Sequence, residues 1–213
     1  MPTPGVDLEL QRADLMRSIG TCLMAWADAE FRIGIMFDAS CGVKAEIAAR
    51  IWGRIRSFEA KLLVLKDVLA SRWANEPSTQ RDWTLLHAHI LALYGQRNRV
   101  AHATVVINTS DTPTNDRITI KPFLSLGDPN FLEGHLGNKE LASYTHGFNA
   151  LTDSLTWFLL NHAVDPSRRP QSPAPAPDLI LQLRTEDDRK REEQRLRALA
   201  LRQYLERNPP AKG

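Results

Sequence analysis

Apolar residues recur at helical spacing from the start of the chain: Leu8, Leu15, Ile19, Leu23, Trp26, Ile33 and Phe37. The pattern predicts a first helix from residue 7 to about 38, with Asp7 as N-cap and Ala-Ser-Cys-Gly at 39–42 as the stop. A second helix is expected from Lys44 to Arg54 and a third from Phe58 to Trp73, the latter carrying Leu62, Leu65, Val68 and Leu69 on one side. Asn-Glu-Pro-Ser at 75–78 interrupts the chain, and a fourth helix begins near Ser78 and runs into the segment RNRVAHA at 97–103.

The period then changes from helical to alternating. Thr104-Val-Val-Ile-Asn and Arg117-Ile-Thr-Ile-Lys-Pro-Phe are β-branched runs separated by SDTPTND, which predicts a β-hairpin over about 104–124 with a long loop. After a connector rich in Gly, Asp and Pro, Asn138 is expected to cap a long helix through Leu141, Tyr144, Phe148, Leu151, Leu155, Phe158 and Leu159. The sequence divides into a helical domain over 1–165, a Pro-rich linker over 166–178 and a charged helical tail over 179–213. Ten of the twelve residues from Glu186 to Arg197 are charged with mixed signs, so the tail is expected to be a solvated helix with pairs such as Glu186/Lys190 and Glu193/Arg197. A functional alternative makes it a docking segment for RNA or a protein, anchored by Leu196, Leu199 and Leu205.

Composition narrows the function classes. With 27 Lys and Arg against 25 Asp and Glu, the chain exerts no global electrostatic pull on nucleic acid. Its asymmetry lies in the tail, where nine basic residues face six acidic ones from Arg184 onward. Cys22 and Cys41 lack ligand spacing and read as small buried hydrophobes in a reducing compartment. Without a signal-like start or an apolar run of membrane-spanning length, the expectation is a soluble cytoplasmic protein without membrane contact. No P-loop, GxGxxG or nucleophile elbow is visible. His87 and His89 point to different helix faces, and His135, His146 and His162 are scattered, so neither a metal nor another cofactor is expected.

The fourth helix carries the candidate chemistry. On a helical projection Leu86, Ile90, Leu93, Val100 and Ala101 share one face, and Arg97 falls in the middle of it. A guanidinium on an apolar face is costly unless it is paired or reaches a wet cleft. Asn98 and His102, four apart and so one turn from each other, share a second line with Leu91. That second line suggests a helix buried on more than one side, against its own bundle and against another copy of the chain.

Arg97-Asn98-x-x-x-His102 resembles the R-x(4–6)-H signature of the HEPN superfamily, whose members are compact helical domains and in many cases metal-independent endoribonucleases. The resemblance covers residues 7 to 165, leaving out the hairpin and the tail. It implies a mainly α, HEPN-like bundle, with Arg97, Asn98 and His102 as catalytic residues and a homodimer that brings two motifs together across a twofold seam. The implied activity is RNA cleavage, as a toxin or defence effector with an antitoxin or other protein partner. A non-catalytic HEPN-like dimer binding a nucleotide, RNA or protein is the alternative. A second match to the spacing, Arg81 to His87, begins in the first turn of its helix and does not interrupt the apolar stripe. In the purely structural reading Arg97 pairs with an acid such as Glu30 and His102 interacts with the helix C-terminus. Arg54, Arg56 and Lys61 form either a phosphate-binding patch or a solvated face, and the five tryptophans are expected in the core or at an interface.

Overall fold

A computed structural model of the chain describes residues 4–108, 117–122, 136–163 and 174–207. The hairpin loop, the connector before the fifth helix with His135, most of the Pro-rich segment and the final six residues lie outside this set. The fold is mainly helical with one antiparallel β-hairpin, as the periodicity predicts.

Helix α1 (Pro4–Cys41) is the central element and packs against α2 (Ala45–Arg54), α3 (Phe58–Arg72), α4 (Pro77–Ala101) and α5 (Asn138–Phe158). It begins at Pro4 rather than at Asp7, consistent with the preference of proline for a first helical turn. Leu15, Cys22, Trp26, Ala29, Ile33, Met36 and Phe37 are its buried positions. Trp26 makes edge-to-face contacts with Phe58 and Phe148, at centroid distances of 5.2 and 5.3 Å. Trp26 therefore ties α1 to α3 and α5 at once; each large side chain buried in this way contributes about 1.5–3 kcal/mol.

Helix ends follow local chemistry. Gly42, just past α1, has φ 67°, a left-handed conformation that stops the helix without a Cβ penalty. Nothing lies within 4 Å of a Cβ built there, so Gly42→Ala tests backbone strain alone. It is expected to lower stability by about 1–2 kcal/mol in denaturant unfolding; an unchanged midpoint would show that the turn relaxes freely. Ser57 caps α3, its hydroxyl accepting from the Ala60 N–H at 3.0 Å. For α5 the cap is Gly137 rather than Asn138, with the Glu140 carboxylate reaching back to the Gly137 N–H at 2.9 Å.

Strands β1 (Ala103–Asn108) and β2 (Arg117–Pro122) pair with Ala103 opposite Pro122 and Asn108 opposite Arg117. Ile120, buried from β2, bridges to Leu136 and fastens the hairpin to the body. The strand begins two residues after α4 ends, so His102 occupies the junction between them.

Helix α6 (Asp178–Arg207) is not solvated over its whole length, because its first turns pack on the body. Ile180 belongs to the same core as α1. Arg184 reaches across 102 residues to grip buried Asp82 through both carboxylate oxygens, at 2.8 and 2.5 Å. Arg81 bonds to Asp187 and Asp188, and the Trp157 indole donates to the Ala174 carbonyl at 2.9 Å. The last residues of the Pro-rich segment and the first turns of α6 are thus held on α4 and α5. Beyond them the helix is solvated, and its internal pairs are Asp187–Arg191, Arg189–Glu193 and Glu192–Arg195 rather than the expected Glu186/Lys190 and Glu193/Arg197.

Candidate functional site

The three motif residues lie at the C-terminal end of α4. Leu86, Ile90, Leu93 and Val100 are buried as expected, while Ala101, the last helical residue, is exposed. The apolar stripe therefore ends at Val100. Arg97 lies between Leu93 and Val100 on this stripe, so its Cα faces the core, and its Nε is buried without an acceptor. At the other end of the guanidinium, Nη1 donates to the Asn98 side-chain oxygen at 3.1 Å. Adjacent residues on a helix ordinarily point apart, so this bond turns the end of the Arg97 side chain toward its polar neighbour. Both residues are half-buried.

His102 is the C-cap of α4, with φ −110° and ψ 23°, and is not a helical residue. Its backbone N–H donates to the Asn98 carbonyl at 3.1 Å, which keeps the two residues one turn apart. Its imidazole is exposed, and among the described residues none forms a hydrogen bond or ion pair with it. Leu91, on the same line as Asn98 and His102, is also exposed, and Asn98 between them is half-buried.

The structure separates the other candidates from this site. Glu30 pairs with Lys61 at 3.5 Å and not with Arg97, so the proposed Arg97–Glu30 ion pair is absent. Lys61 also lies over the Trp52 ring, 5.2 Å from its centroid. Arg54 and Arg56 flank the turn into α3, whose first residue, Phe58, stacks on Tyr94 at 4.7 Å. That contact brings the turn to the same end of α4 as Arg97. Arg81 is committed to Asp187 and Asp188, so the second spacing match serves the attachment of α6.

Arg99 was not given a role by the sequence pattern. It points away from Arg97, two residues being about 200° apart on a helix, and its Nη1 donates to the Tyr144 hydroxyl on α5 at 3.1 Å. The signal available in the sequence was the tyrosine in an apolar stripe, whose hydroxyl requires a partner when half-buried. The two arginines of RNR thus divide the work: Arg97 faces the polar corner, and Arg99 holds α4 to α5.

A second polar cluster closes the opposite end of α4. Past α5 the backbone widens into a π-helical turn, Leu159–Ala163, and His162 Nδ1 lies 3.2 Å from the Thr79 hydroxyl. That hydroxyl donates to Glu76 at 3.1 Å. His87 and His89, midway along α4, both have imidazole pKa values pushed below the ordinary range, first by burial. For His87 the Lys66 charge adds to the effect; for His89 Glu186 opposes it. Because the native state resists protonation while the unfolded chain accepts it near its usual pKa of about 6.5, stability is full above that pH and falls as pH drops through and below it. Thermal unfolding is expected at a lower temperature at pH 5.5 than at pH 7.5, with a shallower slope in a His87→Gln/His89→Gln variant. An unaltered slope in that variant would assign the acid sensitivity elsewhere.

Cys22 and Cys41 are free thiols, both with pKa values raised by burial, aided at Cys41 by Asp38 and opposed at Cys22 by a hydrogen bond with Thr145. Neither is a poised nucleophile. Among the described residues no group of three His, Cys, Asp or Glu is arranged to hold a metal ion, and no helix is long and apolar enough to cross a membrane. No family model matches the chain, and no curated protein or solved structure matches it at a significant level.

Proposed function

We propose that this protein is a metal-independent endoribonuclease, HEPN-like in its motif, that acts as a homodimer with Arg97, Asn98 and His102 of each chain at the seam. The observation that carries the reading is the corner itself: a guanidinium rooted in an apolar stripe, with Nε buried and Nη1 bonded to Asn98, one turn before the exposed His102. A structural arginine on that stripe would be expected to end on a carboxylate; among the described residues this one bonds to a neutral carboxamide, one turn from the exposed His102.

The chemistry follows from these side chains. The 2′-hydroxyl of RNA attacks the adjacent phosphorus, the bond from phosphorus to the 5′-oxygen breaks, and a 2′,3′-cyclic phosphate and a 5′-hydroxyl result. One imidazole removes the 2′-hydroxyl proton and a protonated imidazole supplies a proton to the leaving oxygen, since the two ring nitrogens can accept or donate a proton. The Arg97 guanidinium offers its remaining donors to the phosphate oxygens as charge accumulates on them. Asn98 fixes the plane of that guanidinium. One chain supplies a single His102, so acid and base together require two chains. The line Leu91–Asn98–His102, exposed at both ends, is the surface on which a twofold partner would rest, and the free thiols suit a cytoplasmic setting.

The test is cleavage of single-stranded RNA in the presence of a metal chelator. The reading expects activity that survives the chelator and rises per chain as dilution is reversed and dimers form. Activity restored only by a divalent cation, or equal in the His102→Ala protein, rejects it.

A further inference from the structure

Helices α1 and α2 enclose an open groove of about 610 Å³ that the proposed function does not use. Its walls are apolar, with Phe31, Ile35 and Trp52 prominent, and Phe31 is 65% exposed. On the α2 side the small lining residues Ala45, Ala49 and Gly53 recur every four positions, with Trp52 the one large side chain lining the groove from that helix. The groove follows α1 from Ala27 to Asp38, about 16 Å or three helical turns. Its charged lining residues are both acidic, Glu30 and Asp38, and Lys61 offsets only Glu30.

The same chain carries a segment of matching character. The first turns of α6 are fixed to α4 by the Arg184–Asp82 and Arg81–Asp187/Asp188 bonds, and from Asp188 to Leu199 every residue is exposed. The result is a helical arm anchored at its base and stiffened by its own ion pairs. On this arm Leu196 and Leu199, at i and i+3, are 56% and 44% exposed, flanked by Arg195 and Arg197. Its base packs chiefly on α4 and α5.

We infer that the arm of α6 from one copy of the chain docks into the α1/α2 groove of a second copy. Leu196 and Leu199 would enter between Phe31, Ile35 and Trp52, and the flanking arginines would meet Asp38 and Glu30. This is the helix-in-groove mode of recognition, with apolar anchors supplying affinity and charge setting direction. The inference does not rest on ribonuclease activity.

Cross-linking between different chains tests it. In a Cys41→Ser background, where Cys22 is sealed in the core, a chain bearing Ala49→Cys is mixed with a chain bearing Leu196→Cys and oxidised. The expected product is a disulfide joining the two different chains, lost when Phe31→Asp is added to the groove partner. A predominant link between two Leu196→Cys chains means that arms pair with arms and overturns the inference. Absence of the mixed link, or its persistence with Phe31→Asp, overturns it as well. None of these readouts involves RNA, so they stand apart from the fate of the nuclease reading.

Discussion

Replacing His102 with alanine is expected to reduce RNA cleavage by about 10²–10⁴-fold while leaving the unfolding temperature almost unchanged. The two halves of that result have separate causes. Cleavage depends on the imidazole, which donates and accepts protons in the proposed reaction. Stability does not, because the side chain is exposed and the bond that ties residue 102 to the helix comes from its backbone N–H to the Asn98 carbonyl. Substitutions at such positions ordinarily alter stability by less than about 0.5 kcal/mol. Arg97→Ala should differ, since it also removes the bond to Asn98 and part of the packing between Leu93 and Val100. Paired measurements of rate and melting temperature on both variants separate a lost proton carrier from a damaged scaffold. Unaltered cleavage by the His102→Ala protein contradicts the assignment.

The largest effect on stability is expected at Arg184. Asp82 retains only 3% of its side-chain exposure, and Arg184 meets both of its oxygens. Truncating the arginine leaves a carboxylate in the protein interior with its partner gone, which for a buried pair costs about 3–5 kcal/mol. The lower end applies here because Arg184 itself remains 36% exposed and water can follow it in. A loss of about 3 kcal/mol in a chain of this size lowers the melting temperature by about 6–12 °C. Arg184 also lies over the Trp157 ring, 5.9 Å from its centroid, so some of the loss is packing. The double variant Asp82→Leu/Arg184→Met should recover most of the stability, because replacing both charges by apolar groups removes the unpaired carboxylate. If Arg184→Ala melts with the native protein, the attachment of α6 does not depend on this pair. Amide exchange near residues 178–188 supplies an independent view: release of the arm should accelerate it.

The elements that periodicity revealed are those whose signal is local in sequence. Leu15, Trp26, Ile33 and Phe37 announce α1 because burial repeats with the helix turn, and the β-branched runs announce the hairpin through their preference for extended backbone. The docking of α6 was not legible. Asp82 meets Arg184, and Arg81 meets Asp187, across more than a hundred residues, and a charge in a charged helix carries no mark of which distant partner it will find. Ile180 likewise sits in a short apolar run, Leu179-Ile-Leu-Gln-Leu183, at the head of a polar helix, too short for a periodic signal.

At the candidate site the anomaly was legible and its resolution was not. Arg97 stands out because the stripe calls for an apolar residue, yet the direction its guanidinium takes is a rotamer choice made by the Asn98 side chain beside it. His102 reads as helical from spacing alone, whereas the strand beginning at Ala103 pulls the chain out of the helix and makes it a cap. Glu30 was the natural acid for a buried arginine, but Lys61, arriving from α3, takes it first.

The most direct measurement is the chemistry of the cut ends when the full-length protein acts on a defined RNA with all divalent metal removed. Attack by the 2′-hydroxyl predicts fragments ending in a 2′,3′-cyclic phosphate, each followed by a fragment with a free 5′-hydroxyl, and predicts that these ends disappear in both the His102→Ala and Arg97→Ala proteins. An intact RNA, or fragments bearing 5′-phosphates, would contradict the account.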